Sequence, residues 1–160
     1  LGNIYVSDSK NGRVQVFDKY GILIKAIFGT ANKKFISPRG IAYDPTNDVL
    51  IVTDFDLHKL FTLKLKINQN AIIVKYGNIH NELNLLRPQA ISFFKGMIAI
   101  ADSRNYKIKI YNLENCKIDH VFTIEKDYVL YPGGVCFASD KVVYTTDIDR
   151  GSVLRFTKID

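Results

Sequence analysis

Tryptophan is absent, methionine occurs once, and 160 residues hold only two cysteines and four prolines. Cys116 and Cys136 have no short metal-like spacing, which argues against a zinc ribbon and against the disulfide framework of a small secreted domain. A reducing, cytoplasmic compartment is the expectation. No apolar run approaches the roughly 18 residues that a membrane helix needs, and no segment sustains helical periodicity. No secretory leader precedes the strand-like Ile4-Tyr5-Val6, although a chain opening on Leu1 is expected to be a piece of a longer protein. Acidic residues are the scarcer sign, 16 against 22 basic, giving a net charge of +6. That excess suggests a polyanionic partner but equally suits an ordinary solvated surface, so the placement of the charges must decide.

What the chain does have is internal repetition. Four apolar-rich runs end in Asp: Ile4-Tyr5-Val6-Ser7-Asp8, Leu50-Ile51-Val52-Thr53-Asp54, Ile98-Ala99-Ile100-Ala101-Asp102 and Val143-Tyr144-Thr145-Thr146-Asp147. The aspartates recur at intervals of 46, 48 and 45 residues. A second marker keeps the same rhythm: Pro38-Arg39-Gly40, Pro88-Gln89-Ala90 and Pro132-Gly133-Gly134 each precede their Asp by about fifteen residues. After each Asp comes a four-residue turn rich in Asn, Gly and Asp, expected to supply positive φ. A further strand follows, at Arg13 to Phe17, Lys59 to Leu63, Lys107 to Tyr111 and Ser152 to Phe156. A fourth lies beyond, as at Ile22 to Phe28 or Ala71 to Tyr76. Four short antiparallel strands in about 46 residues describe a propeller blade. A β-sandwich would not keep two markers in phase, and a solenoid has shorter repeats.

The fold class expected is therefore all-β, a β-propeller of four-stranded antiparallel blades, with about three and a half blades of six present. The repeats fall near 1–37 (lacking its first strand), 38–87, 88–131 and 132–160 (lacking its last).

The stretch Gly2 to Asp18, with Asp8-Ser9, Asn11, Arg13 and Phe17-Asp18, followed by Gly21 and Phe28-Gly29, closely resembles the NHL repeat. Pro38 to Asp44 is similar to the opening of the next copy, and the third copy keeps Asp102, Ser103, Asn105 and Lys107. The second and fourth are looser, with Leu57 and Arg150 in place of Asn and Ser152 in place of the basic residue. The resemblance implies a six-bladed propeller, which would need about 276 residues. It also implies a rim that binds RNA, single-stranded or stem-loop, or a protein partner. The tripartite-motif relatives further imply a ubiquitin-ligase-like protein with a RING and B-box upstream. Remaining blades of the same parent chain, or self-association, would complete the ring.

Strand direction places the turn after each Asp on the same rim as the crossing between blades. That rim collects Lys10, Arg13, Lys59, Arg104, Lys107 and Arg150 from the turns, with His58 beside them, and Lys33, Lys34, Arg39 and Arg87 from the crossings. Phe55, Tyr106 and Tyr131 lie among them, with Asn11 and Asn105 as amide readers. Cations that neutralise phosphates beside rings that stack on bases suit single-stranded nucleic acid. The candidate nucleic-acid-binding set is thus Lys10, Asn11, Arg13, Arg39, Phe55, Lys59, Arg87, Arg104, Tyr106, Lys107 and Tyr131. Against it stands the plainer expectation that Arg13, Lys59 and Lys107 pair with neighbouring carboxylates, and that the four Asp residues tie their turns through backbone hydrogen bonds.

An enzyme is not expected, nor any cofactor, metal or membrane. Val52-Thr53-Asp54 with His58 and Phe61 resembles a blade of the peptide-amidating lyases. The zinc histidines that family carries after the blade-opening Pro are here Arg39, Gln89 and Gly133. His58 and His80 have no third ligand, and serine-hydrolase and phosphate-loop motifs are absent. An active site in blades outside this stretch is the remaining enzymatic reading, and a protein-interaction scaffold on the same rim is the main alternative to RNA.

Overall fold

The structure, a computed structural model, describes residues 2–68, 71–123 and 131–158, with backbone only at 67–68 and 71–79. Its strands form four antiparallel sheets. Blade 1 holds β1 (Ile4–Asp8), β2 (Arg13–Phe17) and β3 (Leu23–Ile27). Blade 2 holds β4 (Pro38–Asp44), β5 (Val49–Asp54), β6 (Lys59–Asn68) and β7 (Ala71–His80). Blade 3 holds β8 (Pro88–Phe94), β9 (Met97–Asp102), β10 (Lys107–Asn112) and β11 (Lys117–Phe122). Blade 4 holds β12 (Pro132–Phe137), β13 (Val142–Asp147) and β14 (Ser152–Thr157). Within each sheet the strands stand in chain order, the meander of a propeller blade.

The pattern of apolar residues follows from what covers each face. Side chains alternate across a strand, so a strand with one covered face alternates while one between two neighbours is apolar throughout. In β5, Leu50 and Val52 pack toward blade 1 with Val14, Val16 and Phe61, while Ile51 packs toward blade 3 with Ile98, Ile100 and Tyr111. In β9, Ile98 and Ile100 face blade 2, and Ala99 and Ala101 face blade 4 with Val143. All four are fully buried, which is why these runs are continuous. By contrast β2 and β14 alternate between better and less well buried positions along their length. The three interlayer cores thus hold neighbouring blades together by apolar burial.

Hydrogen bonds add a latch between blades. Ser9 Oγ donates to the carbonyl of Pro38 at 2.5 Å, and Ser103 Oγ donates to that of Pro132. The Asp-Ser pair of the repeat therefore joins blade 1 to blade 2 and blade 3 to blade 4. Phe55 and Ile148 hold that position in blades 2 and 4. At the blade 2–3 junction Thr53 takes over, its Oγ1 donating to the carbonyl of Gln89 at 2.5 Å.

The candidate binding rim

Each inner strand pairs with its neighbour through a register shift directly after its proline, between Pro38 and Ile41, Pro88 and Ile91, and Pro132 and Val135. A bulge re-aims the side chains it carries, and here it carries Arg39 and Gln89. The turn after each Asp then bonds the crossing that enters the same blade. Phe55 N–H donates to Ser37 O at 2.9 Å, Arg104 N–H to Leu86 O at 3.1 Å, and Ile148 N–H to Tyr131 O at 2.9 Å. Hairpin turns and crossings therefore share one rim.

The aspartates tie that rim from beneath. Asp54, fully buried, accepts from the backbone N–H of Ile36, Ser37 and Leu57. Asp102, equally buried, accepts from Leu86 N–H and Asn105 Nδ2, both at 2.8 Å, and pairs with Lys109 Nζ at 2.7 Å. Asp147 accepts from Asp149 N–H. Asp8 takes Asn11 Nδ2, Arg13 Nε at 2.8 Å and Gln15 Nε2 at 2.9 Å. The Arg13 hydrogen bond is the largest of the influences that hold the Asp8 carboxyl below its usual range.

Two of the candidate nucleic-acid contacts also bond a carboxylate of their own blade. Asn11 and Arg13 are committed to Asp8, Asn11 through its amide donor and Arg13 through Nε, because Asp8 needs donors close by in sequence. Asn105, expected as an amide reader, spends Nδ2 on Asp102 and on Asn84 O at 2.9 Å. The expected source of positive φ holds for the glycines of blades 1 and 4 and is corrected in blades 2 and 3, where His58 and Tyr106 supply it. It is the fourth turn residue that takes the left-handed conformation in every blade: Gly12, His58, Tyr106 and Gly151, with φ of 59°, 58°, 57° and 61°. For His58 and Tyr106 this is a strained backbone.

The other candidates fall into two clusters and a scattered set. At the blade 2–3 junction the Arg39 guanidinium lies 3.4 Å over the centre of the Phe55 ring, and that of Arg87 lies 5.3 Å from the same centre. Arg39 Nη1 donates to Gln89 Oε1 at 3.1 Å. Arg87 is itself left-handed, φ 50°, and its N–H donates to His58 Nδ1 at 3.1 Å. At the blade 3–4 junction Arg104 Nη1 donates to the Tyr131 hydroxyl at 2.7 Å, its guanidinium 5.2 Å from that ring. Tyr106 meets Tyr131 edge-on, hydroxyl to hydroxyl at 3.1 Å, and that hydrogen bond raises the Tyr131 pKa. Lys10 is exposed and Lys59 and Lys107 are half-buried, each on its turn or at the start of its strand, outside both clusters.

Sequence reasoning missed Gln89 and Lys109. Lys109 stands seven residues after its Asp, where blade 1 has Gln15, and a cation in a strand covered on both faces signals a buried partner. It missed as well how the two histidines are used. His58 anchors Arg87, while His80 bonds Thr62 Oγ1 through Nε2 and Glu82 through Nδ1, each at 3.0 Å. The Tyr111 hydroxyl donates to Glu82 at 2.8 Å, so this chain of groups pins blade 2 to blade 3. Burial alone would raise the Glu82 pKa, but its hydrogen bonds outweigh burial and hold it low. A cavity of about 500 Å³ opens beside Thr62, His80 and Cys116 between the same blades. Among the described residues no group of three or more His, Cys, Asp or Glu is placed to hold a metal ion.

The comparisons with known proteins agree with the propeller fold. The family model described as NHL repeat matches residues 1–17. The fold is that of consecutive β-propeller blades, and residues 1–17 are similar to the NHL repeat. A chain of the nidogen/laminin complex is 21% identical with a TM-score of 0.72, covering 98% of this chain and 55% of that one. An inactive H270A virginiamycin B lyase from Staphylococcus aureus, solved with quinupristin, is 15% identical with a TM-score of 0.65 over 99% of this chain and 53% of that one. The β-propeller domain of Cps50 (Swd1) from Myceliophteria thermophila is 11% identical with a TM-score of 0.66 over 99% of this chain and 51% of that one. The chain thus spans about half the length of each of these structures. No curated protein matches it.

Proposed function

We propose that the chain is a non-catalytic binding module whose basic rim holds single-stranded RNA. The observation that carries this reading is the set of three arginines, Arg39, Arg87 and Arg104, laid against aromatic rings at neighbouring blade junctions. Among the described residues none of the three has a carboxylate within ion-pair distance. A guanidinium beside a ring can offer a face to a base and an edge to a phosphate. Lys10, Lys59 and Lys107 add charge along the same rim. Glu82, an acid of that rim, is turned onto His80 and Tyr111.

A salt series with a short single-stranded RNA tests the reading. Three phosphate contacts predict that log K falls with log salt at a slope of roughly −2. A flat response, or no binding at low salt, would overturn it.

A second reading, a protein partner on the same rim, is favoured by the spent amides of Asn11 and Asn105, which leave fewer groups to read bases. The nidogen/laminin neighbour is a protein complex, which supports the same alternative. A tripartite-motif context would be supported by RING and B-box zinc motifs in flanking sequence.

A further inference from the structure

At the blade 2–3 junction the repeat departs from its own pattern in several ways that converge. Phe55 stands where Ser9 and Ser103 make the inter-blade latch, so this blade has given up that hydrogen bond for a ring. His58 stands where blades 1 and 4 have glycine, in the same left-handed conformation, and its Nδ1 takes the N–H of Arg87. Arg87 is strained as well, at φ 50°. Strain of this kind persists where the surroundings over-determine it, and it concentrates at ligand clamps. Its effect is to bring Arg87 onto the ring that already carries Arg39.

Two cations therefore adjoin one ring, their Cζ atoms 3.4 and 5.3 Å from its centre. Gln89 fixes Arg39 from the side at 3.1 Å. Neither guanidinium has a carboxylate partner among the described residues. Like charges gathered around one ring with no counter-ion make a site that an anion completes. Arginine forks match the geometry of phosphate oxygens, and two of them supply two positive charges.

We infer that Arg39, Phe55 and Arg87 form an oxyanion clamp for the terminal 5′-phosphate of an RNA strand. A phosphodiester carries one negative charge and leaves half of the clamp unmatched. A phosphomonoester carries about −1.5 to −2 at neutral pH and matches it. The Arg104–Tyr131–Tyr106 cluster at the next junction supplies rings on which following bases can stack. This inference rests on the RNA reading of the rim and names which part of the strand it grips.

The experiment compares one oligouridylate carrying a 5′-monophosphate with the same oligonucleotide carrying a 5′-hydroxyl, at low and physiological salt. The phosphorylated strand should bind about tenfold more tightly. Arg87→Gln and, separately, Phe55→Ser should bring the two strands to the same affinity. Phe55→Ser also offers a hydroxyl at the latch position used by Ser9 and Ser103, so its thermal unfolding checks that the blades remain joined. Equal binding of both strands by the unaltered chain overturns the clamp and leaves the RNA-binding rim standing. Binding of neither strand overturns the rim reading. Binding of a phosphoserine peptide in place of either RNA overturns the choice of nucleic acid as the source of the phosphate.

Discussion

Asp102→Ala should lower the stability of the chain by about 3–5 kcal/mol in urea unfolding, the range for breaking one side of a buried ion pair. The carboxylate is fully buried and serves three donors from three segments: Leu86 N–H from the crossing, Asn105 Nδ2 from the turn and Lys109 Nζ from β10. Alanine strands a backbone N–H and leaves the Lys109 ammonium in the protein interior. That ammonium keeps hydrogen bonds to Leu83 O at 2.7 Å and Asn84 O at 3.1 Å, which do not neutralise its charge. Lys109→Gln should also lower stability, because a neutral donor like Gln15 leaves buried Asp102 without the cation that Arg13 gives Asp8. An Asp102→Ala chain as stable as the unaltered one would contradict the role assigned to the ion pair.

Gly40→Ala should cost about 1–3 kcal/mol or more, the range for overpacking a tight contact. A Cβ there would lie 2.4 Å from the backbone oxygen of Gln89, 2.7 Å from Thr53 Oγ1 and 2.9 Å from Ile91 Cγ2. The first of these cannot move cheaply, since it belongs to the inner strand of the next blade. Gly40 N–H also donates to Thr53 Oγ1 at 2.9 Å, and Thr53 in turn donates to Gln89 O. Relieving the clash therefore means parting β4 from β8 at the junction where Arg39 meets Gln89. Denaturant unfolding measures the cost, and a change smaller than about 0.5 kcal/mol would show that the two strands separate freely.

The fold was legible because blade geometry repeats. The Asp and Pro markers sit at structurally equivalent turns, and their spacing is that of one four-stranded sheet. The expected starts of β2, β6, β10 and β14 coincide with the observed ones at Arg13, Lys59, Lys107 and Ser152. The common rim was also legible, since it follows from strand direction. What was not legible is how each polar side chain spends its hydrogen bonds. Arg13 and Lys107 occupy the same place in the repeat, yet Arg13 reaches Asp8 while in blade 3 the carboxylate is taken by Lys109. Sequence alone cannot choose between donors five and seven residues from the same Asp. Gln89 escaped notice because its role depends on the bulge that aims it at Arg39 across a blade junction, 50 residues away in sequence.

The most direct measurement of the central claim is the RNA affinity of Arg39→Glu combined with Arg104→Glu, read beside the unfolding of the same variant. Both side chains are exposed but bond across different blade junctions, so stability should fall by about 0.5–1 kcal/mol for each, with the chain still folded. Affinity for a short single strand at low salt should fall by about 100-fold, as two sites that attract phosphate become two that repel it. A folded double variant that binds the strand as tightly as the unaltered chain would contradict the account.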